Sequence, residues 1–258
     1  MKQRLRDILL LSLLIVSILC FLHTLYRKDG FTDDKKPVKI VFVCHSQEST
    51  DKILREQPEE VDVMFVGMGP VEPGPRIIIC RDLENNIEHE PKLLTFTAWY
   101  AIIKNNLYKE YSYICIFEHD ASTTAEFMPE LVQRCKEGEF DVISFFTSTP
   151  FSSFNPFLQD VQLDIMDYIR GTLHNEYEYS RPWNHSSNHC LRREVLQEFV
   201  EWYCEQYPYI KERDTKQLSW YHERLFAMYT FTKGLKQTSI NGVSHVSASS
   251  HKETINKE

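Results

Sequence analysis

The sequence has no two cysteines close enough for a Cys-x-x-Cys knuckle, although it holds seven, so cysteine-built metal modules are excluded on spacing. It lacks a basic stripe, and its formal net charge of −8 argues against a nucleic-acid binder. No internal repeat and no extended low-complexity tract is present. The one Gly-Pro-rich tract, Gly67 to Pro75, does not have the spacing of a phosphate-binding fingerprint and reads as a surface loop. What remains is ordinary globular composition, 42% hydrophobic and 26% charged over 258 residues, with room for one large domain.

The clearest physical signal is the run Ile8 to Tyr26, which carries no formal charge and is broken only by Ser12, Ser17, His23 and Thr24. Its length suffices to cross a bilayer as a helix. The competing reading is a cleaved signal peptide. However, the run ends in Cys-Phe-Leu-His-Thr-Leu-Tyr, without a small-x-small cleavage site. The expectation is an uncleaved signal anchor: residues 1–7 as a cytosolic tail, 8–26 as the transmembrane helix, 27–37 as a short polar stem, and 38–258 as the body. Basic residues flank both sides, Lys2, Arg4 and Arg6 before and Arg27, Lys28, Lys35 and Lys36 after, so their count decides orientation poorly. A short tail ahead of a large body favours the type II arrangement, with the body in an ER or Golgi lumen. Disulfides are then permitted. Among the six cysteines outside the span, Cys190 with Cys204 is the most plausible pair, and three others fall in predicted strands as buried thiols. Asn184-His185-Ser186 fits a glycosylation acceptor, usable only in a lumen.

Within the body, Lys39 to Cys44, Val61 to Val66 and Arg76 to Cys80 read as strands, with a helix-compatible stretch from Gln47 to Gln57. Strand, helix, strand at this pace begins a parallel sheet with crossovers. Leu93 to Leu107 has helical apolar spacing, with Pro91 near its start as a first-turn proline. Further elements are a helix over Ala125 to Cys135, a strand over Asp141 to Phe146, a long loop over Thr147 to Phe157, and an amphipathic helix from about Arg193 to Gln206. The predicted fold class is α/β, a mostly parallel sheet flanked by helices, preceded by one transmembrane helix.

Tyr113 to Thr123 organises this body. Its first half is a short, continuous apolar run of the kind buried on both faces of a parallel sheet. It runs directly into Glu118-His119-Asp120, where the strand should end, and strand carboxyl ends are where open α/β sheets bind ligands. In extended chain, residues i and i+2 share a face, so Glu118 and Asp120 are candidates to converge on a hard cation such as Mn2+ or Mg2+ or on a donor-rich sugar. The plain alternative is a pair of solvated turn or helix-cap residues. A second cluster, Trp220-Tyr221-His222-Glu223-Arg224, precedes the apolar run Leu225 to Tyr229. Glu223 would therefore lie near the start of an inward-facing helix, where the dipole favours a carboxylate, or else form a Glu-Arg pair on a helix surface. Thr238 to Ser250 reads as a polar, serine-rich tail. A histidine in such a tail is usually solvated, although a neutral imidazole returning to an acidic pair would complete a metal site.

Together these pieces resemble the GT-A class of nucleotide-sugar-dependent glycosyltransferases, a Rossmann-like fold, in its short type II membrane form. The resemblance covers about Lys39 to His251. It rests on the N-terminal anchor, the strand ending at Cys44-His45-Ser46, Glu118-His119-Asp120 in place of Asp-x-Asp, Asn188 to Arg193 as a possible substrate-facing segment, His222-Glu223-Arg224, and a C-terminal histidine. The first acid departs from the family's Asp, though Glu can still hold a ribose hydroxyl. The resemblance implies Asp120 and His245 as metal ligands, with His251 as substitute. It implies Glu118, His45 and Ser46 at the nucleotide-sugar, and Glu223 as the base toward the acceptor if configuration inverts. If configuration is retained, Glu223 would instead hold acceptor or donor. The implied activity is metal-dependent transfer of a sugar to a glycan or protein hydroxyl. Two other readings remain open: a non-catalytic membrane-anchored binding protein of the same fold, and a metal-dependent phosphoesterase, for which the other strand ends offer only His45.

Overall fold

The structure, a computed structural model, describes residues 35–56, 63–90, 93, 95–145, 149–150, 167–168, 171, 182–183, 187–211 and 218–245. The expected anchor at Ile8 to Tyr26, Pro91, the Asn184 acceptor, most of the loop Thr147 to Phe157, and His251 lie outside these residues. Among the described residues no helix is long and apolar enough to cross a membrane.

From Lys36 onward the chain runs β1 (Lys36–Cys44), α1 (Gln47–Glu56), β2 (Val63–Gly67), β3 (Ile77–Ile79), α2 (Thr95–Lys104), β4 (Tyr111–Glu118), β5 (Ala121–Thr123), α3 (Phe127–Glu137) and β6 (Val142–Ser144). Then follow β7 (Thr149–Pro150), β8 (Pro182–Trp183), β9 (His189–Arg192), α4 (Arg193–Ile210), α5 (Leu218–Thr232), β10 (Gln237–Ser239) and β11 (Val243–His245). Seven strands form the main sheet in the order β10-β6-β9-β4-β1-β2-β3. All run parallel except β9, which is antiparallel to both its neighbours, β4 and β6. The mostly parallel sheet read from the sequence is therefore present.

Residue alternation explains why the two central strands look continuously apolar. In β1, Val41 and Val43 enter one core, while Val38, Ile40, Phe42 and Cys44 enter the other. In β4, Ile114 and Ile116 take the first side, and Tyr113, Cys115 and Phe117 take the second. A strand buried on both faces needs apolar side chains at every position. The first face is covered by Phe96, Trp99 and Ile102 of α2, Leu196, Phe199 and Tyr203 of α4, and Tyr221, Leu225 and Phe226 of α5. The second is covered by Ile53 of α1 and by Phe127, Leu131 and Cys135 of α3.

Two expectations are corrected here. The stretch from Thr238 is no simple polar tail. Gln237–Ser239 joins the sheet edge beside β6, Ile240 is buried, and Val243–His245 pairs with β5. The proposed Cys190–Cys204 pairing also fails, because Cys190 belongs to the core on one face of the sheet and Cys204 packs against the core on the other. Cys190 Sγ lies 3.5 Å from Cys135 Sγ instead, and all six cysteines from Cys44 on are free thiols. The expectation of buried thiols does hold: Cys44, Cys80, Cys115, Cys135 and Cys190 are buried and only Cys204 is partly exposed. Burial raises the thiol pKa, to about 11 for Cys44 and about 12 for Cys80, and the thiolate is the reactive form. Cys204 is expected to react first of these six with an alkylating reagent in the native protein. Peptide mass mapping against reaction time, with and without denaturant, checks the order.

Candidate functional site

The carboxyl ends of β1, β2 and β4 open on one edge of the sheet. Because β9 runs the other way, the residues entering it, Ser187 and Asn188, arrive at that same edge. The register places His189 opposite Ile116, and its continuation brings Ser187 and Asn188 to the level of Phe117 and Glu118.

Glu118 is the last residue of β4. Its backbone N–H donates to Asn188 Oδ1 at 2.7 Å, and Asn188 Nδ2 donates to Glu118 Oε2 at 3.3 Å. The Thr95 hydroxyl, at the start of α2, donates to Glu118 Oε1 at 2.9 Å. Both carboxylate oxygens are thus held by protein donors while the residue keeps partial exposure. His119 and Asp120 leave the strand and form a turn into β5, so the extended-chain argument for convergence of Glu118 and Asp120 stops at Glu118. Asp120 is joined by another route. The antiparallel register of β5 and β11 sets His245 opposite Ala121, the residue after Asp120. Gly242, with φ +119°, permits this approach: its carbonyl accepts the Thr124 N–H at 2.9 Å, and a Cβ there would lie 2.9 Å from Thr124 Oγ1. The backbone of His245 therefore lies beside the strand that begins one residue after Asp120.

His45 follows β1 and meets His119 edge-on, with ring centroids 5.2 Å apart. Burial pushes its pKa down to about 4, with His119 adding to the fall and Asp120 opposing it, so His45 is neutral at physiological pH. It lines a cleft of about 530 Å³ together with Met68, Gly69, Pro70, Arg81, Glu88 and Thr97. The loop over this cleft is stapled in place. Gly69 N–H donates to Glu88 Oε1 at 3.0 Å, Arg81 donates to the Gly69 and Val71 carbonyls, and Glu72 N–H donates to Gln47 Oε1 at 2.9 Å. Gly67 lets the loop fold back, since a Cβ there would lie 2.8 Å from Val71 Cγ1. Ser46, expected at a ligand, has its hydroxyl taken up by the start of α1: it accepts the Ser49 N–H at 3.3 Å and bonds the Ser49 hydroxyl at 2.8 Å, as an N-cap does.

Glu223 lies in the second turn of α5 and is held from two sides. The Ser187 hydroxyl donates to Glu223 Oε1 at 3.0 Å and lies 3.0 Å from His222 Nε2. Arg224 Nη1 donates to Glu223 Oε2. The Arg224 and Glu223 side chains are 4% and 14% exposed, which makes this a buried charge pair rather than the surface pair the sequence left open. Burial raises the Glu223 carboxyl to about 7, with Arg224 opposing, Glu118 adding to the rise and Ser187 opposing. That value is matched to proton transfer near neutral pH.

Of the segment Asn188 to Arg193, expected to face substrate, only Asn188 lies at the carboxyl end of β4, against Glu118. His189, Cys190 and Leu191 are fully buried in the sheet. Arg192 emerges at the opposite edge, where it pairs with Asp141 at 3.2 Å and donates to the Phe140 carbonyl. Sequence reading missed Thr95, Ser187, Arg81 and Glu88. Ser187 and Asn188 do carry a signal, being polar residues at the head of an apolar strand, but it is readable only once the strand is known to run antiparallel.

No family model and no curated protein matches the sequence. Among solved structures, the chain is similar to the apo structure of the bifunctional glycosyltransferase WbbM, with TM-score 0.59 and 14% identity over 81% of this chain and 45% of that one. The likeness is one of fold, and this chain spans less than half of that chain's length. A second similar structure is the mannosyltransferase Ktr4p from S. cerevisiae, with TM-score 0.43 and 12% identity over 84% of this chain and 73% of that one.

Proposed function

We propose that this chain is a glycosyltransferase that moves a sugar from a nucleotide-sugar donor to a hydroxyl of a glycan or glycoprotein. We place it in the GT-A class, acting with Mn2+ or Mg2+ from a body held in a Golgi or ER lumen by a type II signal anchor. The observation that carries this reading is Glu223, a buried carboxyl raised to about 7 at the sheet edge that also holds Glu118, His45 and the Asp120 turn. The fold shared with a glycosyltransferase supports it.

The roles follow from the chemistry of each group. An acceptor hydroxyl is a weak nucleophile, and Glu223 takes its proton as the new glycosidic bond forms and the bond from the sugar to the diphosphate breaks, its electron pair leaving on the diphosphate. Glu118, immobilised by Thr95 and Asn188, is placed to accept hydroxyl donors of the donor molecule. The cleft at His45, apolar at Met68 and Pro70 with neutral imidazole beside them, suits the nucleoside. Among the described residues no group of three His, Cys, Asp or Glu side chains could hold a metal. A hard ion of this kind takes one or two protein carboxylates and completes its shell on substrate phosphate oxygens. Asp120 and His245 would be its protein ligands. When bound, such an ion neutralises charge on the leaving diphosphate.

Titration calorimetry of the full-length chain with UDP and GDP, with and without Mn2+, tests the reading. Nucleotide binding that requires the ion and weakens at least about tenfold in Asp120→Ala is expected, as loss of a charged ligand implies. Metal binding without any nucleotide binding would favour phosphoester hydrolysis. A folded chain that binds neither would leave a binding protein of this fold.

A further inference from the structure

We infer that Ser187 and Asn188 are paired positioning residues: consecutive at the entry to β9, they grip Glu223 and Glu118 respectively and so fix the spacing of the site's two carboxylates. The inference rests on the proposed role of Glu223 as base.

The two grips differ in kind and are both buried. Asn188 is 0% exposed and Ser187 is 1% exposed. Asn188 holds Glu118 twice, accepting its backbone N–H at Oδ1 and donating to its carboxylate from Nδ2. Because a backbone N–H can only donate, the amide orientation is determined, and the second bond follows from the first. Ser187 has one hydroxyl proton. An ionised carboxylate only accepts, so that proton goes to Glu223 Oε1, and the Ser187 oxygen then accepts from His222 Nε2–H. His222 is buried beside Trp99 and Phe96, so the hydroxyl is anchored from behind by a ring that itself cannot drift. Successive Cα atoms are separated by about 3.8 Å. Two carboxylates held from adjacent residues are thus tied to one short segment, which leads directly into β9, where Cys190 and Leu191 pair with β4 and β6. Closeness has an electrostatic consequence, because Glu118 raises the Glu223 carboxyl while Ser187 and Arg224 lower it. Among the described residues, the groups facing Glu223 are Glu118 from β4, Ser187 before β9, and His222 and Arg224 from α5. The spacing set by the two grips governs the pH at which Glu223 is a free base.

The test compares Ser187→Ala, Ser187→Thr and Asn188→Ala in the full-length chain, with the Glu223 carboxyl followed by carbon NMR using Glu223→Gln to assign its signal. Loss of the Ser187 donor is expected to raise the Glu223 midpoint by about one pH unit, the value of one net hydrogen bond, and Ser187→Thr is expected to restore it. In transfer assays Ser187→Ala should lower kcat about tenfold or more with KM for donor little changed, and its acid limb should move to higher pH. Asn188→Ala should act mainly on KM for donor, through Glu118. A purely structural Ser187 would lower the melting temperature and leave the midpoint in place, and that result overturns the inference. So does Ser187→Thr failing to restore a midpoint that Ser187→Ala has moved. The titration needs no turnover. If the chain transfers no sugar but the midpoint moves as stated, the proposed function fails and the grip on Glu223 stands.

Discussion

Glu223→Gln is expected to lower turnover by about a hundred- to ten-thousand-fold, the usual worth of a positioned general base, with nucleotide affinity unchanged. Glutamine suits this test because the local network can invert around it. Its carbonyl oxygen can face Arg224, its amide can donate to the Ser187 oxygen, and the Ser187 proton can turn to His222 Nε2 once the imidazole carries its own proton on Nδ1. A melting temperature measured alongside separates a loss of rate that reports the missing base from a loss of fold. A fall of less than about tenfold would put proton removal elsewhere and favour retention of configuration, with Glu223 holding a substrate.

The same variant is expected to change how stability depends on pH. The Glu223 carboxyl rises from 4.5 to about 7 on folding, so the folded state binds its proton more tightly than the unfolded chain does. The stability this contributes is complete below about pH 4.5. It is lost as pH rises through about 7, amounting to about 3 kcal/mol across the window. Urea midpoints measured from pH 4.5 to 8 should show this decline in the native protein and a flatter profile in Glu223→Gln. Identical slopes would mean that Glu223 titrates in the folded chain as it does in water.

Much of the body was legible because its central strands obey a strong rule. Ile40 to Cys44 and Tyr113 to Phe117 are apolar at every position because both faces of the sheet are covered, and no alternating or helical pattern competes. Their ends were legible too, since Glu118 and His45 mark the point at which an apolar run stops. Glu223 stands out in sequence from its place before Leu225 to Tyr229. The direction of β9 was not legible. His-Cys-Leu is apolar in either orientation, and only pairing with β4 and β6 decides that Asn188, rather than Arg192, reaches the site. The stretch from Thr238 was misread for a related reason. Gln237–Ser239 is an edge strand whose side chains are exposed or half-buried, so its composition is that of a tail, although its backbone completes the sheet. Ser46 shows the opposite limit: a hydroxyl after a strand suits a ligand and a helix cap equally in sequence, and the start of α1 claims it.

The second large effect concerns Arg224, whose side chain is only 4% exposed. Arg224→Met is expected to destabilise the chain by about 3–5 kcal/mol above pH 8, because removing one member of a buried ion pair leaves the other charged and without compensation. Burial already lowers the Arg224 pKa while Glu223 opposes that fall, so each ion sustains the other. Without the guanidinium, the Glu223 carboxyl loses the strongest influence holding its pKa down. Its midpoint should move above about 7, carrying the pH window of lost stability upward with it. At pH 5, where Glu223 is protonated in both proteins, the penalty of Arg224→Met should shrink. The double variant Glu223→Gln with Arg224→Met separates pair from packing. If the pair is held together chiefly by mutual charge, removing both partners recovers most of the loss, and denaturant unfolding at pH 8 gives a coupling energy of about 2 kcal/mol or more. Strict additivity would instead mean that Arg224 stabilises the chain through contacts other than Glu223. A buried guanidinium that stabilises only while its neighbour is ionised has a direct bearing on function: it keeps Glu223 available as a base at the pH where the folded chain would otherwise hold it protonated.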